Sequence, residues 1–148
     1  MHSKRKGNIG EMHVAACLAK LGYSVFRELG DISRIDLIAE VGKSLVRIQV
    51  KYTSVKKDGF ILSTRKCSTN YQYLYGVEDV DVFAVYCAEE NKVVWVLASD
   101  ILVAGKHTCL TFRSKARPPK NNQKSKVRFI EDHEDFEKVI AGKVFPGR

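Results

Sequence analysis

Residues 34–52, RIDLIAEVGKSLVRIQVKY, alternate apolar and polar side chains on both sides of a Gly42-Lys43 pair. Alternation with period two is the mark of strands that bury one face. Ile35, Leu37, Ala39, Val46, Ile48 and Val50 fall on one side, and Arg34, Asp36, Arg47, Gln49 and Lys51 on the other. Glycine at the first central position suits a type II′ two-residue turn. That turn pairs Val41 with Ser44 and sets Asp36 opposite Gln49, with Lys51 next on the same face. A turn centred one residue earlier would pair Asp36 with Arg47 instead. The expected element is a hairpin in the first register, with one greasy side and one charged side.

Working outward, Ile9, Met12, Ala16, Ala19 and Leu21 recur at helical spacing and Gly22 offers a stop, so an N-terminal helix precedes a short strand at 24–28. Beyond the hairpin, a strand is expected at Phe60 to Ser63. Thr64 to Tyr75 reads as loop plus helix, Asp81 to Cys87 and Lys92 to Leu97 as two strands, and 98–103 as a helical turn. A short strand at Thr108 to Phe112, a Pro- and Asn-bearing loop at Ala116 to Ser125, and a last helix at about Glu131 to Ala141 complete the pass. No internal repeat or linker interrupts the 148 residues, so one α/β domain over 1–148 is expected.

Composition excludes several classes. No apolar run approaches the roughly 20 residues of a membrane span, and no charged-then-apolar leader opens the chain. Four cysteines (Cys17, Cys67, Cys87, Cys109) without a CxxC pair argue against a zinc ribbon and for reduced thiols in a cytoplasm. The formal net charge is +8, and it is concentrated. Arg113, Lys115, Arg117, Lys120, Lys124, Lys126 and Arg128 follow one another with no acid between; without them, 18 basic residues face 17 acidic ones. Such a tract, at about 113–128, is the footprint of a polyanion partner, because each neutralised phosphate releases condensed counterions. A solvated loop that only aids solubility is the plainer alternative.

The charged side of the hairpin is where chemistry can reside. Asp36 and Gln49 offer hard oxygen ligands of the kind Mg²⁺ takes, and Lys51 adds a cation beside them. Phosphodiester hydrolysis needs such parts: a Lewis acid, a positioned water and a positive charge for the transition state. Incidental ion pairing on a solvated strand face is the alternative. Glu11 lies in the first helix, where a carboxylate also favours the helix dipole. The histidines (His2, His13, His107, His133) form no HxH or HExxH motif; they read as surface or packing residues, with His133 on a solvated face. The Tyr71, Tyr73, Tyr75 alternation reads as packing of a short element rather than base stacking.

Taken in order, Glu11 on a helix, Asp36 in RIDLIAE and Gln49-Val50-Lys51 resemble the PD-(D/E)XK nuclease superfamily. The opening GNIGEMHVAACLAKLGYSV, with IDLIAE and IQVKYTS, is similar to archaeal-type junction resolvases. It resembles more closely a small bacterial branch of group I intron homing endonucleases, of the tetrameric kind encoded in a cyanobacterial transfer-RNA intron. The resemblance covers essentially the whole chain. It implies a restriction-endonuclease-like mixed sheet flanked by helices, and a homotetramer acting on double-stranded DNA with Mg²⁺. It further implies a metal site of Asp36, Gln49, the Val50 carbonyl and Glu11, which offsets the charge missing at position 49, with Lys51 acting on the attacking water. Ile35 stands where the superfamily's name has Pro, and Gln49 where it has Asp or Glu; the amide binds Mg²⁺ more weakly than a carboxylate and cannot act as a base.

Three functions fit these residues: a homing endonuclease, a structure-specific junction resolvase, and a DNA-binding protein that does not cut. A homing enzyme reads sequence over a long site and needs Arg, Lys, Gln and Asn on protruding elements. Arg65, Lys66, Asn121, Asn122 and the basic tract supply them, which favours the homing function. A small subunit cannot span a long site alone, so a symmetric oligomer is expected.

Overall fold

The computed structural model describes residues 1–30, 32–57, 59–67, 72–119 and 127–145. Helix α1 (Ser3–Lys20) and strand β1 (Ser24–Arg27) lead into β2 (Leu37–Val41) and β3 (Ser44–Thr53). The hairpin adopts the expected register: Val41 pairs with Ser44 and Leu37 with Ile48. Gly42 has φ of +60° and Lys43 has no positive φ, as a type II′ turn requires. Strand β2 starts later than expected. Its ladder closes with the Asp36 N–H donating to Ile48 O, and residues 34–35 bend away.

Next come β4 (Gly59–Ser63), β5 (Arg65–Cys67), β6 (Gln72–Leu74), β7 (Val82–Cys87) and β8 (Lys92–Leu97). The turn-like α2 (Ala98–Ile101), β9 (Cys109–Arg113), β10 (Val127–Phe129) and α3 (Phe136–Ile140) follow. The main sheet runs β1-β2-β3-β7-β8, with β3 and β7 parallel and the other neighbours antiparallel. A three-stranded sheet, β10-β9-β4, and the β5-β6 hairpin form further layers.

Alternation along β7 and β8 divides the core in two. Val82, Ala84, Tyr86, Val93, Trp95 and Leu97 join Val14, Leu18, Val46, Ile48 and Phe136 under α1 and α3. Phe83, Val85, Val94 and Val96 join Phe60, Leu62, Tyr75, Leu110 and Phe112 on the opposite side. The helices therefore cover one face and a β-layer covers the other. The charged side of β3 is not open throughout: Gln49 pairs with Phe83 and Lys51 with Val85, so both border the second core.

Four expectations are corrected. The buried face of α1 is Gly10, Val14 and Leu18, whereas Met12 is 66 % exposed and Ala16 and Ala19 face solvent. Apolar residues encircle much of this helix, so spacing alone does not single out a face. Close approach does: a Cβ on Gly10 would already touch Val50 Cγ1 at 3.4 Å. Arg65–Cys67 and Gln72–Leu74 pair as antiparallel strands and are not helical. The tyrosine alternation has a strand's period, with Tyr73 and Tyr75 meeting edge-on at 5.5 Å and Tyr75 buried against Phe83.

The expected last helix is a 3-10 turn (Ile130–Asp132) followed by the shorter α3, whose N-cap Asp135 accepts the Lys138 N–H. Between them His133 is not on a solvated face. Its carbonyl accepts the Trp95 N–H at 2.8 Å, its Nδ1 lies 2.9 Å from Trp95 O, and its ring packs on Phe112. Strand β10 was not anticipated; three residues carry too short a pattern. Among the described residues, Cys17, Cys87 and Cys109 are free thiols, and no helix is long and apolar enough to cross a membrane.

Candidate active site

Asp36 sits where β2 leaves β3. The departing strand exposes the Val50 N–H, and the Asp36 carboxylate accepts it at 2.7 Å through Oδ2. The same oxygen accepts Gln49 Nε2 at 2.5 Å, and that amide nitrogen also lies 3.4 Å from Val50 O. Gln49 is only 5 % exposed, and its buried Oε1 has no hydrogen-bond partner. Buried acceptors are ordinarily satisfied, so this orphan is informative. With the amide reversed, Asp36 Oδ2, Gln49 Oε1 and Val50 O would face one point, an arrangement that a cation between them makes favourable. These are hard oxygen donors, which suit a small divalent ion. Among the described residues no three His, Cys, Asp or Glu side chains converge on such a point.

Burial, with a smaller push from nearby Glu11, raises the Asp36 carboxyl to about 6 against the opposing effects of the Val50 N–H, Lys51 and Lys66. Desolvation thus outweighs the local positive charge, as expected for a carboxylate kept from water. Glu11 lies within electrostatic reach of Asp36, but its Oε2 meets Arg27 Nη2 at 2.7 Å, and Arg27 also donates to Asn8. Lys51 Nζ donates to the Arg65 carbonyl at 3.4 Å and stands 4.7 Å over the Tyr75 ring. The β5-β6 hairpin therefore leans over Lys51 and brings the Lys66 charge toward Asp36.

The other charged members of the hairpin face are taken up in structure. Arg47 pairs with Asp81 at 2.8 Å and donates to the carbonyls of Val77 and Glu78, tying the 77–81 turn to β3. Arg34 stacks on Tyr73 and pairs with Asp79. Arg27 and Asp79 carry no sequence signal that marks them, because each acquires its partner from a distant segment. Asp36 also lines a cleft of about 300 Å³ with Phe26, Glu28, Ser33 and Ile38. A larger cleft of about 560 Å³ between α1, β8 and α3 holds none of the site residues.

Of the expected DNA contacts, Arg65 is exposed on β5, Lys66 is half-buried beside it, Arg113 ends β9, and Arg117 is exposed in the following turn. Lys115 is less available than its run of basic neighbours suggests. Asp132 pairs with its Nζ at 2.6 Å, and Glu131 accepts its backbone N–H. Lys120, Asn121, Asn122, Lys124 and Lys126 lie outside the described residues.

No curated protein matches the chain. Among solved structures, the bacterial homing endonuclease I-Ssp6803I superposes with a TM-score of 0.68 at 24 % identity, over 82 % of this chain and 86 % of that one. The Holliday junction resolvase Hjc of the archaeal hyperthermophile Archaeoglobus fulgidus superposes with a TM-score of 0.56 at 16 % identity, over 95 % and 99 %. Both likenesses show a shared restriction-endonuclease-like fold. A family profile matches residues 1–136, a span that includes Glu11, Asp36, Gln49, Val50 and Lys51, and the chain belongs to the PD-(D/E)XK endonuclease family, phosphodiester hydrolases that cut DNA.

Proposed function

We propose that this endonuclease is a Mg²⁺-dependent homing enzyme that cuts double-stranded DNA at a long target in an intron-free gene, acting as a homotetramer. The observation that carries the catalytic part is the convergence of Asp36 Oδ2, the Gln49 amide and Val50 O around a buried, unsatisfied acceptor. Those three groups would hold the ion, with Glu11 contributing charge from α1. When bound, the ion supplies Lewis-acid polarisation of a phosphate oxygen and lowers the pKa of a water. Lys51, steadied by the Arg65 carbonyl and the Tyr75 ring, positions the attacking water and offsets charge growing on the phosphoryl oxygens. A water oxygen bonds to phosphorus, the P–O ester bond breaks, and a proton reaches the departing oxygen.

Sequence-specific cutting draws support from the likeness to I-Ssp6803I and from the polar, basic segments around Arg65 and Arg113. The test is incubation of the purified protein with plasmid carrying an intron-free transfer-RNA gene, and separately with a four-way junction, each with and without Mg²⁺. Linearisation at one site only with Mg²⁺ is the expected result. Cutting of the junction alone would replace the homing function by resolvase action, and binding without cutting would assign Gln49 to a protein that has lost cleavage.

A further inference from the structure

Two apolar side chains stand in solvent beside the Asp36 cleft. Leu29 is fully exposed and Ile32 is 86 % exposed, both between β1 and β2. On the Ile32 side the backbone is hydrogen-bonded. The Glu28 carboxylate accepts the N–H groups of Ile32 at 3.1 Å and Ser33 at 2.8 Å, and the Ser33 hydroxyl donates to Ile35 O. Gly30 leaves room for Ile32 to lie across the backbone, since a Cβ there would meet Ile32 Cδ1 at 3.3 Å. A single exposed leucine needs no explanation. Here, however, two apolar groups are exposed close together in sequence, and Glu28 and Ser33, next to Leu29 and Ile32, line the same cleft as Asp36. Arg27 and Arg34 bracket them, each half-exposed.

We propose that Leu29 and Ile32 are a wedge that enters a groove of duplex DNA and presses against or between base pairs next to the bond presented to Asp36, with Arg27 and Arg34 on the flanking phosphates. This rests on the endonuclease function proposed above. The two arginines that flank the patch, and a net charge of +8 that a second copy would share, favour a polyanionic duplex as its occupant. Each guanidinium carries five N–H donors, more than its contacts within the fold use: Arg27 donates through Nη2, and Arg34 through Nη1. Apolar wedges unstack and kink duplexes, and the area they bury offsets part of the unstacking cost. Such insertion needs no base-specific hydrogen bond and is easiest at pyrimidine–purine steps, which any plasmid supplies.

The test uses closed circular plasmid relaxed by a metal-independent topoisomerase in EDTA, with the protein present, so that no cleavage intervenes. The parent is expected to shift the linking number. The double variant Leu29→Gln/Ile32→Gln, which alters no buried contact, should lose most of that shift and about tenfold in affinity while keeping its salt dependence. Leu29→Trp should bind and show fluorescence quenched by stacking. An equal shift in parent and double variant, or no shift in either while both bind, overturns the wedge and leaves the endonuclease function standing. Absence of plasmid binding by the parent overturns both. Sedimentation supplies the remaining control: a parent assembly that falls apart in the double variant would overturn the wedge and give these residues to an interface between copies.

Discussion

Gln49 is the residue that departs from its family's usual carboxylate, and its surroundings say what that change does. Its amide sits against Asp36 Oδ2, where a second carboxylate would meet the first. Gln49→Glu should therefore tighten Mg²⁺ binding, measured by calorimetry, and destabilise the metal-free protein by raising the pKa of the pair. Equal Mg²⁺ affinity would show that position 49 points away from the ion. Asp36 carries a pH signature. Its folded pKa of about 6 lies above the unfolded 3.8, so the fold favours the protonated form. That contribution is fully present below about pH 4 and is lost as pH rises through 6, a difference of at most about 3 kcal/mol.

Asp36→Asn removes this loss, and a reversed Gln49 amide could then receive a hydrogen bond from Asn. In the absence of divalent ions the variant should be more stable than the parent at pH 7.5, by about 2 kcal/mol in chemical denaturation, with the gap closing near pH 4. Mg²⁺ should narrow the gap at neutral pH by stabilising only the parent. A gap that does not change with pH would remove Asp36's ionisation as its source. Lys51→Ala should abolish cleavage while leaving DNA affinity within a few-fold, because the interaction it supplies belongs mainly to the transition state. Cutting at the parent rate would take Lys51 out of the mechanism.

At the scale of elements, the hairpin register is what aligns Asp36 with Gln49, and the Arg65 carbonyl of β5 with the Tyr75 ring is what steadies Lys51. Strand β4 enters beside β9 with no room to spare: a Cβ on Gly59 would collide with the Phe112 carbonyl, whose strand cannot yield without opening the β4-β9 pairing. Gly59→Ala is expected to cost about 1–3 kcal/mol of stability. The substitution acts on the second layer, so heteronuclear NMR should show its shifts in β4 and β9 and not in β1 or β2. Shifts spread evenly over the main sheet would mean that the two layers do not move independently. The β5-β6 pair is not legible in the sequence because three residues of alternation in each strand do not separate a strand from one helical turn. The decisive contacts, Tyr73 with Asp79 and Tyr75 with Phe83, are made by side chains from other elements.

For the whole molecule, the charge excess in the sequence is partly redistributed by folding. Glu131 and Asp132 return against Ser114 and Lys115, so the basic run is less bare in space than along the chain. Neutralising Lys120, Lys124 and Lys126 together should weaken binding to every DNA sequence and reduce the slope of log affinity against log salt by up to about three units. Lys115→Gln should change that slope less, since its charge already faces a carboxylate. An unchanged slope in the triple variant would move the phosphate contacts to Lys4 to Lys6 and to the β5-β6 hairpin.

Local pattern by itself determined much of this protein. Period-two alternation and a glycine turn specify the β2-β3 hairpin, its register, and hence the meeting of Asp36 and Gln49, because a strand's faces and a two-residue turn are set by neighbours in the chain. The order of Glu11, Asp36 and Gln49-Val50-Lys51 pointed to the family by the same locality. Only the tertiary structure decided which face of α1 is buried, that Arg65–Cys67 and Gln72–Leu74 pair as strands, that Glu11 meets Arg27, and that Gln49 is buried with an unsatisfied oxygen. Each of these depends on partners many residues away, and desolvation, close packing and charge pairing arise only once those partners are brought together.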